Sequence, residues 1–401
     1  MRPSTGVTIA EGITESIDAA AGDIVELASE LIAFATENPP GAAYDLCSDH
    51  IAQRLSGLGL TVEVLEPAPG RQVLLAGVGK GRTVYLHGHY DVVPESMPGQ
   101  FEPRVSDGRL WGRGSADMKG AIAAMSFATR ALAAAELDGR VEIVLVPDEE
   151  SGGTLGSELL LRSGRLGRNG VAAILGEPTG GRIWNAHRGA ITLRATVLGK
   201  PAHVGLQHEG RNAFEAAIPL LHELHRLKFA VESRRTGWPT DNEEERCSIL
   251  MLGGEVAGGH QFNVVPDRFS FTIERRFNPE EDLEEVRTEL YDVIEASMIG
   301  RDDVEVHVIQ QARPSGVPAD SDLVTSLSRA SQVVTGTSPE CRLCPGLLES
   351  RFYSEANVPV VAYGPGDLEV SHGPSESVEI ARLIQHTKVY ALTAAGLLGA
   401  W

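Results

Sequence analysis

The chain contains 401 residues, a length that corresponds to about two or three domains of ordinary size. Its composition, with 42% apolar and 22% charged residues, is that of a globular protein with a sizeable core. The 35 basic and 55 acidic residues leave a formal charge of −20, which argues against nucleic acid or an anionic membrane as a partner. The four cysteines are too few for a disulfide scaffold, and no segment predicts a signal peptide or a transmembrane helix. We therefore expect a cytoplasmic protein.

Strand patterns alternate with helix patterns through the first half of the chain. Apolar residues recur at helical spacing from Ile13 to Ala35 and predict one amphipathic helix, which the proline-rich segment 38–41 ends. A second helix is predicted over Met118–Leu132. The predicted strands are Thr61–Leu65, Val73–Ala76, Thr83–Leu86, Val141–Pro147, Val171–Leu175 and Arg182–Ala186. This alternation predicts an α/β fold with a mixed, mostly parallel sheet flanked by helices.

The pattern changes near Arg188, where an inserted α+β unit is predicted. Alternating apolar residues between Ile191 and Val197 predict a half-exposed strand. A helix over 212–227, a long strand over 264–277 and a helix from Pro279 follow, and a strand at 358–363 and a C-terminal helix from Glu376 then restore the α/β pattern. We expect residues 1–187 and 310–401 to form one domain, with residues 188–309 inserted as a second.

Polar residues follow several of the predicted strands. The segments that carry them contain His89 and Asp91, Asp117, Asp148–Glu150, Glu177 and His372. Taken singly, these residues are also typical of a surface ion pair, a helix N-cap or a solvated acidic turn. Carboxylates crowded after buried strands are costly unless a cation offsets their charge, and mixed nitrogen and oxygen donors suit zinc, manganese or cobalt. Together the segments predict a metal site.

These motifs, in this order along nearly the whole chain, resemble the dinuclear zinc family of aminoacylase, acetylornithine deacetylase, succinyl-diaminopimelate desuccinylase and glutamate carboxypeptidase. The resemblance implies a zinc-binding α/β domain with an inserted lid or dimerisation domain, and a homodimer formed through that lid. It implies the metal ligands His89 and Glu177 for one ion, Glu150 and His372 for the other, and Asp117 as the bridge. Asp91 then corresponds to the residue that orients the ligand histidine, and Glu149 to the general base.

The inserted unit also carries residues that match the family. His203 resembles a lid histidine that reaches the active site, often from the partner subunit, and stabilises the oxyanion. The resemblance implies substrate contacts for Asn263 and Arg276, and Arg351 fits a clamp for a substrate carboxylate. Three departures, Glu349 in place of an aspartate, His187, and the additional imidazole of His87, are compatible with an unusual substrate or with neutral drift.

The resemblance implies a metal-dependent hydrolase that cleaves the amide C–N bond of an N-acyl amino acid or a related small amide. Two divalent ions, zinc first and manganese or cobalt as alternatives, would activate water, with Glu149 as general base. A dipeptidase or carboxypeptidase, and an enzyme that releases an amine or ammonia from a non-peptide C–N bond, stay open as alternatives. A non-catalytic binding homologue is disfavoured because every ligand and the base are present.

Overall fold

The computed structural model describes residues 9–297 and 303–401. The chain divides into two compact units, one made of residues up to 185, 317–341 and 352–401, the other of residues 186–316 and 342–351. The helices are α1 (Ile9–Ala19), α2 (Ala21–Ile32), α3 (Tyr44–Gly57), α4 (Lys119–Ala131), α5 (Ser157–Arg162), α6 (Ala213–Glu232), α7 (Leu283–Ser297), α8 (Asp322–Thr335), α9 (Ser350–Glu355) and α10 (Ile380–Leu397). The strands are β1 (Thr61–Ala68), β2 (Arg71–Gly79), β3 (Thr83–His89), β4 (Arg104–Ser106), β5 (Arg109–Trp111), β6 (Arg140–Val146), β7 (Gly170–Leu175), β8 (Ile183–His187), β9 (Gly189–Leu198), β10 (Ile249–Gly258), β11 (Arg268–Phe277), β12 (Val304–Ala312), β13 (Ser315–Gly316), β14 (Cys341–Cys344), β15 (Val360–Ala362) and β16 (Ser377–Glu379).

The first unit is organised by a mixed sheet with the strand order β1-β2-β6-β3-β7-β15-β8. The four central strands β6, β3, β7 and β15 run parallel to one another, whereas β1, β2 and β8 pair antiparallel to their neighbours. The predicted α/β class with a mostly parallel central sheet is confirmed. Because parallel strands end at the same edge of a sheet, this topology collects the segments that follow β3, β6 and β7 at one place.

Helix α4 forms the centre of the first unit's core. Its residues from Lys119 to Thr129 are all buried, and it packs against α2 and α10. Its many alanines allow this close approach because they add little volume between the helix backbones. Although α4 is strongly apolar, no helix within residues 9–297 and 303–401 is long and apolar enough to cross a membrane.

Two helix predictions in the first unit were wrong at their boundaries. The stripe from Ile13 to Ala35 is divided between α1 and α2, with non-helical backbone at Ala20. The spacing did not reveal the break because Ile17, Ala20 and Ile24 on both sides of it face the same core. The C-terminal helix begins at Ile380, not at Glu376, because the intervening residues form β16 against β5.

The second unit contains a four-stranded antiparallel sheet with the order β10-β11-β9-β12. Apolar residues of β9, such as Ile191 and Leu193, pack against Leu220 of α6 and Leu290 of α7 in one core. Helix α7 begins at Leu283 rather than at the predicted Pro279, and the strand predicted over 264–277 begins at Arg268. The sequence pattern changes near residue 188 because β9 alternates buried Ile191, Leu193 and Ala195 with half-buried Thr192 and Arg194. No residue of β9 is fully exposed, so the strand is more buried than the predicted half-exposed one.

His386 of α10 is a buried histidine in the first unit. Its ring stacks on Tyr363 with the centroids 4.5 Å apart, and Nδ1 lies 2.8 Å from the carbonyl oxygen of Arg382. Burial lowers the pKa of His386 from 6.5 to about 4. Since the unfolded chain binds this proton more readily than the folded one, stability is lost as the pH falls from about 6.5 toward 4.

Replacing His386 with Phe should remove this proton linkage while keeping an aromatic ring on Tyr363. We expect the free energy of unfolding of metal-free protein to fall less between pH 6.5 and pH 4 in His386→Phe than in the wild type. The expected difference is on the order of 3 kcal/mol. Denaturant titrations at several pH values measure it, and an identical loss in the two proteins would contradict the assignment.

Candidate metal centre

The five predicted metal ligands all lie in the first unit. His89 is the last residue of β3, Glu150 lies in a short turn after β6, and Glu177 lies two residues after β7. Asp117 lies two residues before the start of α4, and His372 lies between β15 and β16. The parallel pairing of β6, β3 and β7 therefore brings three of the ligands together, and the other two arrive from loops.

The ligand atoms form two groups that share Asp117. Those of His89, Asp117 and Glu177 lie within 4.8 Å of one another, and so do those of Asp117, Glu150 and His372. Asp117 uses a different oxygen for each histidine: Oδ1 lies 3.2 Å from Nε2 of His89, and Oδ2 lies 3.3 Å from Nε2 of His372. This is the arrangement expected of a carboxylate that bridges two ions.

The histidines of the two groups have strongly shifted pKa values. Burial lowers the pKa of His89, but its hydrogen bonds to Asp117 and Asp91 outweigh burial and leave it well above the usual 6.5. Hydrogen bonds to Asp117 and Glu150 raise the pKa of His372 to about 10. For Asp117, burial raises the pKa, but the two imidazoles outweigh it and hold the pKa well below its usual range.

These shifts share one cause, which is an excess of carboxylate charge around two imidazoles. In the absence of another cation the negative charge retains protons on the histidines, whereas a divalent ion would compete for the same lone pairs. The nitrogen and oxygen donors suit zinc, manganese and cobalt alike. The residues present therefore fit two divalent ions.

Asp91 organises the residues around the first group. Its carboxylate accepts hydrogen bonds from the backbone N–H groups of Glu149 (3.2 Å) and Glu150 (3.1 Å), and Oδ1 lies 3.3 Å from Nδ1 of His89. Nδ1 of His89 also lies 2.9 Å from the carbonyl oxygen of Asp91. Since both partners of Nδ1 are acceptors, Nδ1 carries the proton of the neutral imidazole, and Nε2 is left for an ion.

Sequence reasoning assigned no role in the site to Asn38 itself. Nδ2 of Asn38 donates to Oδ2 of Asp91 at 2.8 Å and to Oγ of Ser151 at 2.9 Å. Asn38 thereby ties Asp91 to the turn that carries Glu149 and Glu150. Its position before two prolines was a turn signal only, and no local pattern indicated a partner more than fifty residues away.

His87, one of the departures from the family pattern, belongs to neither ligand group. Its Nδ1 lies 3.1 Å from the hydroxyl oxygen of Tyr353, and the two rings meet edge to face with centroids 5.4 Å apart. The side chain is buried within the first unit. This environment is typical of a packed core histidine.

The predicted lid and substrate residues lie in the second unit. The structure brings His203 and Asn263 together, because the N–H of Val204 donates to the carbonyl oxygen of Asn263 at 2.9 Å. His203 itself is exposed. Arg276 lies on β11 and pairs with Glu274.

Arg351 and two departures from the family pattern, His187 and Glu349, also lie in the second unit, and all three are buried. Arg351 donates through Nη1 to the carbonyl oxygen of Leu348 at 2.9 Å. Burial lowers the pKa of His187 to about 4, with a smaller contribution from Arg351, so this imidazole is neutral at pH 7.

Comparison with known proteins identifies the family. The chain matches peptidase family M20/M25/M40 over residues 85–396, which is well over half of its length. The chain belongs to this family. Membership of peptidase family M20/M25/M40 confirms the predicted resemblance and the predicted enzyme class, a metal-dependent hydrolase of amide bonds.

Two curated relatives of this M20/M25/M40 member carry the same name. The succinyl-diaminopimelate desuccinylase of Nitrosomonas eutropha is 29% identical over 388 residues, covering 93% of this chain and 97% of the relative. The succinyl-diaminopimelate desuccinylase of Leptothrix cholodnii is 30% identical over 401 residues, covering 93% of this chain and 98% of the relative. Among solved structures, the M20 family metallo-carboxypeptidase Sso-CP2 from Sulfolobus solfataricus superposes with a TM-score of 0.75 at 16% identity, covering 93% of this chain and 99% of that one. This last similarity concerns the fold.

Proposed function

We propose that the protein hydrolyses the amide bond of an N-acyl amino acid, using two divalent ions held by His89, Asp117 and Glu177 and by Asp117, Glu150 and His372. The observation that carries this proposal is the sharing of Asp117 between two ligand groups at the carboxyl edge of the sheet. Bound there, two such ions supply Lewis-acid polarisation of a carbonyl oxygen and lower the pKa of water.

Glu149 is the general base of the proposed reaction. It lies in the same turn as Glu150 yet belongs to neither ligand group among the described residues. In support of this role, the backbone N–H of Glu149 donates to Asp91, and the charge of Glu149 contributes to the raised pKa of His89. Glu149 accepts a proton from the attacking water while the water oxygen forms a bond to the carbonyl carbon. Glu149 then delivers that proton to the amide nitrogen as the C–N bond breaks. The products are a carboxylic acid, which loses its proton to the solvent at neutral pH, and an amine.

The proposed substrate carries at least one carboxylate of its own. The names of the two curated relatives support an N-succinyl amino acid as the first compound to test. We assign Arg351 to a substrate carboxylate, Asn263 and Arg276 to other substrate contacts, and His203 to the oxyanion.

A panel of amides tests the proposed reaction. Metal-reconstituted protein is incubated with N-succinyl and N-acetyl amino acids, dipeptides and non-peptide amides, and the released amine is measured. We expect turnover of an N-acyl amino acid that a chelator abolishes and that zinc, cobalt or manganese restores. Turnover of dipeptides alone would replace the proposal by a peptidase, and no turnover of any compound by protein with both ions bound would reject it.

We further propose that zinc is the native ion, that the protein is cytoplasmic and that it forms a homodimer through the second unit. The four cysteines are free thiols, in support of a reducing compartment. For the dimer, the support is a set of exposed apolar residues on edge strand β10 and on helix α6. It comprises Ile249, Met251, Val256, Phe214 and Ile218, which are 40–60% exposed.

The dimer is tested by the mass of the protein in solution. Light scattering should give the mass of two chains for the wild type and of one chain for Met251→Lys, since a charge on the edge of β10 opposes strand pairing. The matched control is Leu46→Lys, a similar change at an exposed leucine of α3 in the first unit, which should stay dimeric. A monomeric wild type would contradict the proposal.

A further inference from the structure

A buried ion pair lies behind the second ligand group and is assembled by the small sheet β16-β5-β4. In this sheet Ser377 pairs with Trp111 and Glu379 pairs with Arg109. The ladder is extended by the N–H of Gly112, which donates to the carbonyl oxygen of Glu376 at 3.1 Å. The sheet thereby places Glu376 beside the glycine-rich segment that leads to Asp117.

The carboxylate of Glu376 is an acceptor for the backbone of that segment. Oε1 accepts hydrogen bonds from the N–H groups of Gly114 (2.9 Å), Ala116 (3.1 Å) and Asp117 (3.1 Å). Oε2 pairs with Nη1 of Arg113 at 2.5 Å. Both side chains are almost completely buried, with Arg113 1% and Glu376 2% exposed. Glu376 therefore fixes the backbone of the bridging ligand itself.

The other end of the pair reaches the backbone of His372. Nη2 of Arg113 donates to the carbonyl oxygens of His372 (3.2 Å) and Pro94 (3.2 Å) and contacts Oγ of Ser96 at 3.4 Å. His372 has a φ of +61°, a left-handed conformation that is unfavourable for a residue with a side chain. The hydrogen bond from Arg113 fixes the carbonyl group of this residue, whose Nε2 lies 3.3 Å from both Asp117 and Glu150.

We propose that Arg113 and Glu376 are positioning residues that set the affinity of the second metal site. One pair contacts the backbones of two of the three ligands in that group, although those ligands come from distant parts of the chain. A buried ion pair is costly to desolvate, and an apolar pair of similar volume would fill the space without directing any backbone group. The inference rests on the proposed two-ion centre.

Metal titrations of two variants test this role. Apo protein is titrated with Zn²⁺ and Co²⁺, with calorimetry for affinity and elemental analysis for stoichiometry. Arg113→Lys keeps the buried positive charge but loses the guanidinium nitrogen that donates to the carbonyl oxygen of His372. We therefore expect the second ion to bind about 10–100-fold more weakly, and the affinity for the first ion to stay within about threefold of the wild type. Glu376→Gln also disturbs Asp117, so both ions should bind more weakly.

The matched control is Glu379→Gln, which breaks the Arg109–Glu379 pair (3.1 Å) of the same small sheet without touching a ligand. It should bind both ions as the wild type does. An unchanged second site in Arg113→Lys, an equal weakening of both sites in that variant, or the same loss in Glu379→Gln would overturn the inference. If Glu376→Gln does not fold, as circular dichroism would show, Arg113→Lys decides alone. Fewer than two ions on the wild type would instead contradict the proposed function.

Discussion

Replacing Glu149 with Gln should lower kcat by about 10²–10⁴-fold, the range typical of general acid–base catalysis, while both ions stay bound. The amide has nearly the volume of the carboxylate but cannot accept the proton of the attacking water. Glu149 belongs to neither ligand group in the described residues, so its change leaves both donor sets complete. Steady-state kinetics on the best substrate of the panel, together with elemental analysis of the purified variant, measure the two parts of this prediction.

The control for Glu149→Gln is Glu158→Gln, the same change at a partly exposed glutamate of α5 that pairs with Arg162. It should keep wild-type kcat. A Glu149→Gln enzyme with near wild-type turnover would refute the assigned base. Loss of one ion along with activity would show that Glu149 is a ligand instead.

Replacing Asp117 with Asn should abolish activity and reduce the bound metal to less than one ion per chain. Asp117 is the only described residue shared by the two ligand groups, and its change leaves each group with one oxygen ligand and one imidazole. The neutral amide also lacks the negative charge with which Asp117 would attract both ions. Elemental analysis after dialysis at a fixed free zinc concentration gives the stoichiometry.

Two variants of residues that belong to only one ligand group serve as controls for Asp117→Asn. His372→Ala should lose the second ion only, and Glu177→Gln should weaken the first only, since each belongs to one group. An Asp117→Asn protein that retains two ions would show that the two groups do not share a bridge. Equal loss of both ions in His372→Ala would point to a single coupled site rather than two.

The location of the metal centre could be predicted from sequence because three of its ligands follow neighbouring parallel strands. A buried strand is readable as an apolar run, and the residues after such strands meet at one edge of the sheet. Hence His89, the acidic segment Asp148–Glu150 and Glu177 could be placed together from the strand pattern. Asp117 and His372 lie on loops, and the family resemblance assigned the ligand roles of all five residues.

The residues that hold the ligands could not be predicted in the same way. Asn38, Arg113 and Glu376 act on backbone groups or carboxylates far away in the chain, and such contacts leave no local period or spacing. The short strand β16 could not be predicted either. Its three residues are too few to show an alternation of apolar and polar residues, and the helical pattern of the next segment continues over them. The break at Ala20 was equally invisible, because the apolar stripe continues through it.

Anomalous diffraction from crystals of zinc-reconstituted protein tests the central claim most directly. We expect two zinc peaks per chain about 3.5–4 Å apart, the separation typical of two-metal sites. One peak should lie among His89, Asp117 and Glu177, and the other among Asp117, Glu150 and His372, with Asp117 contacting both. A single peak, or two peaks with no shared carboxylate, would contradict the two-ion centre on which the proposed amide hydrolysis depends.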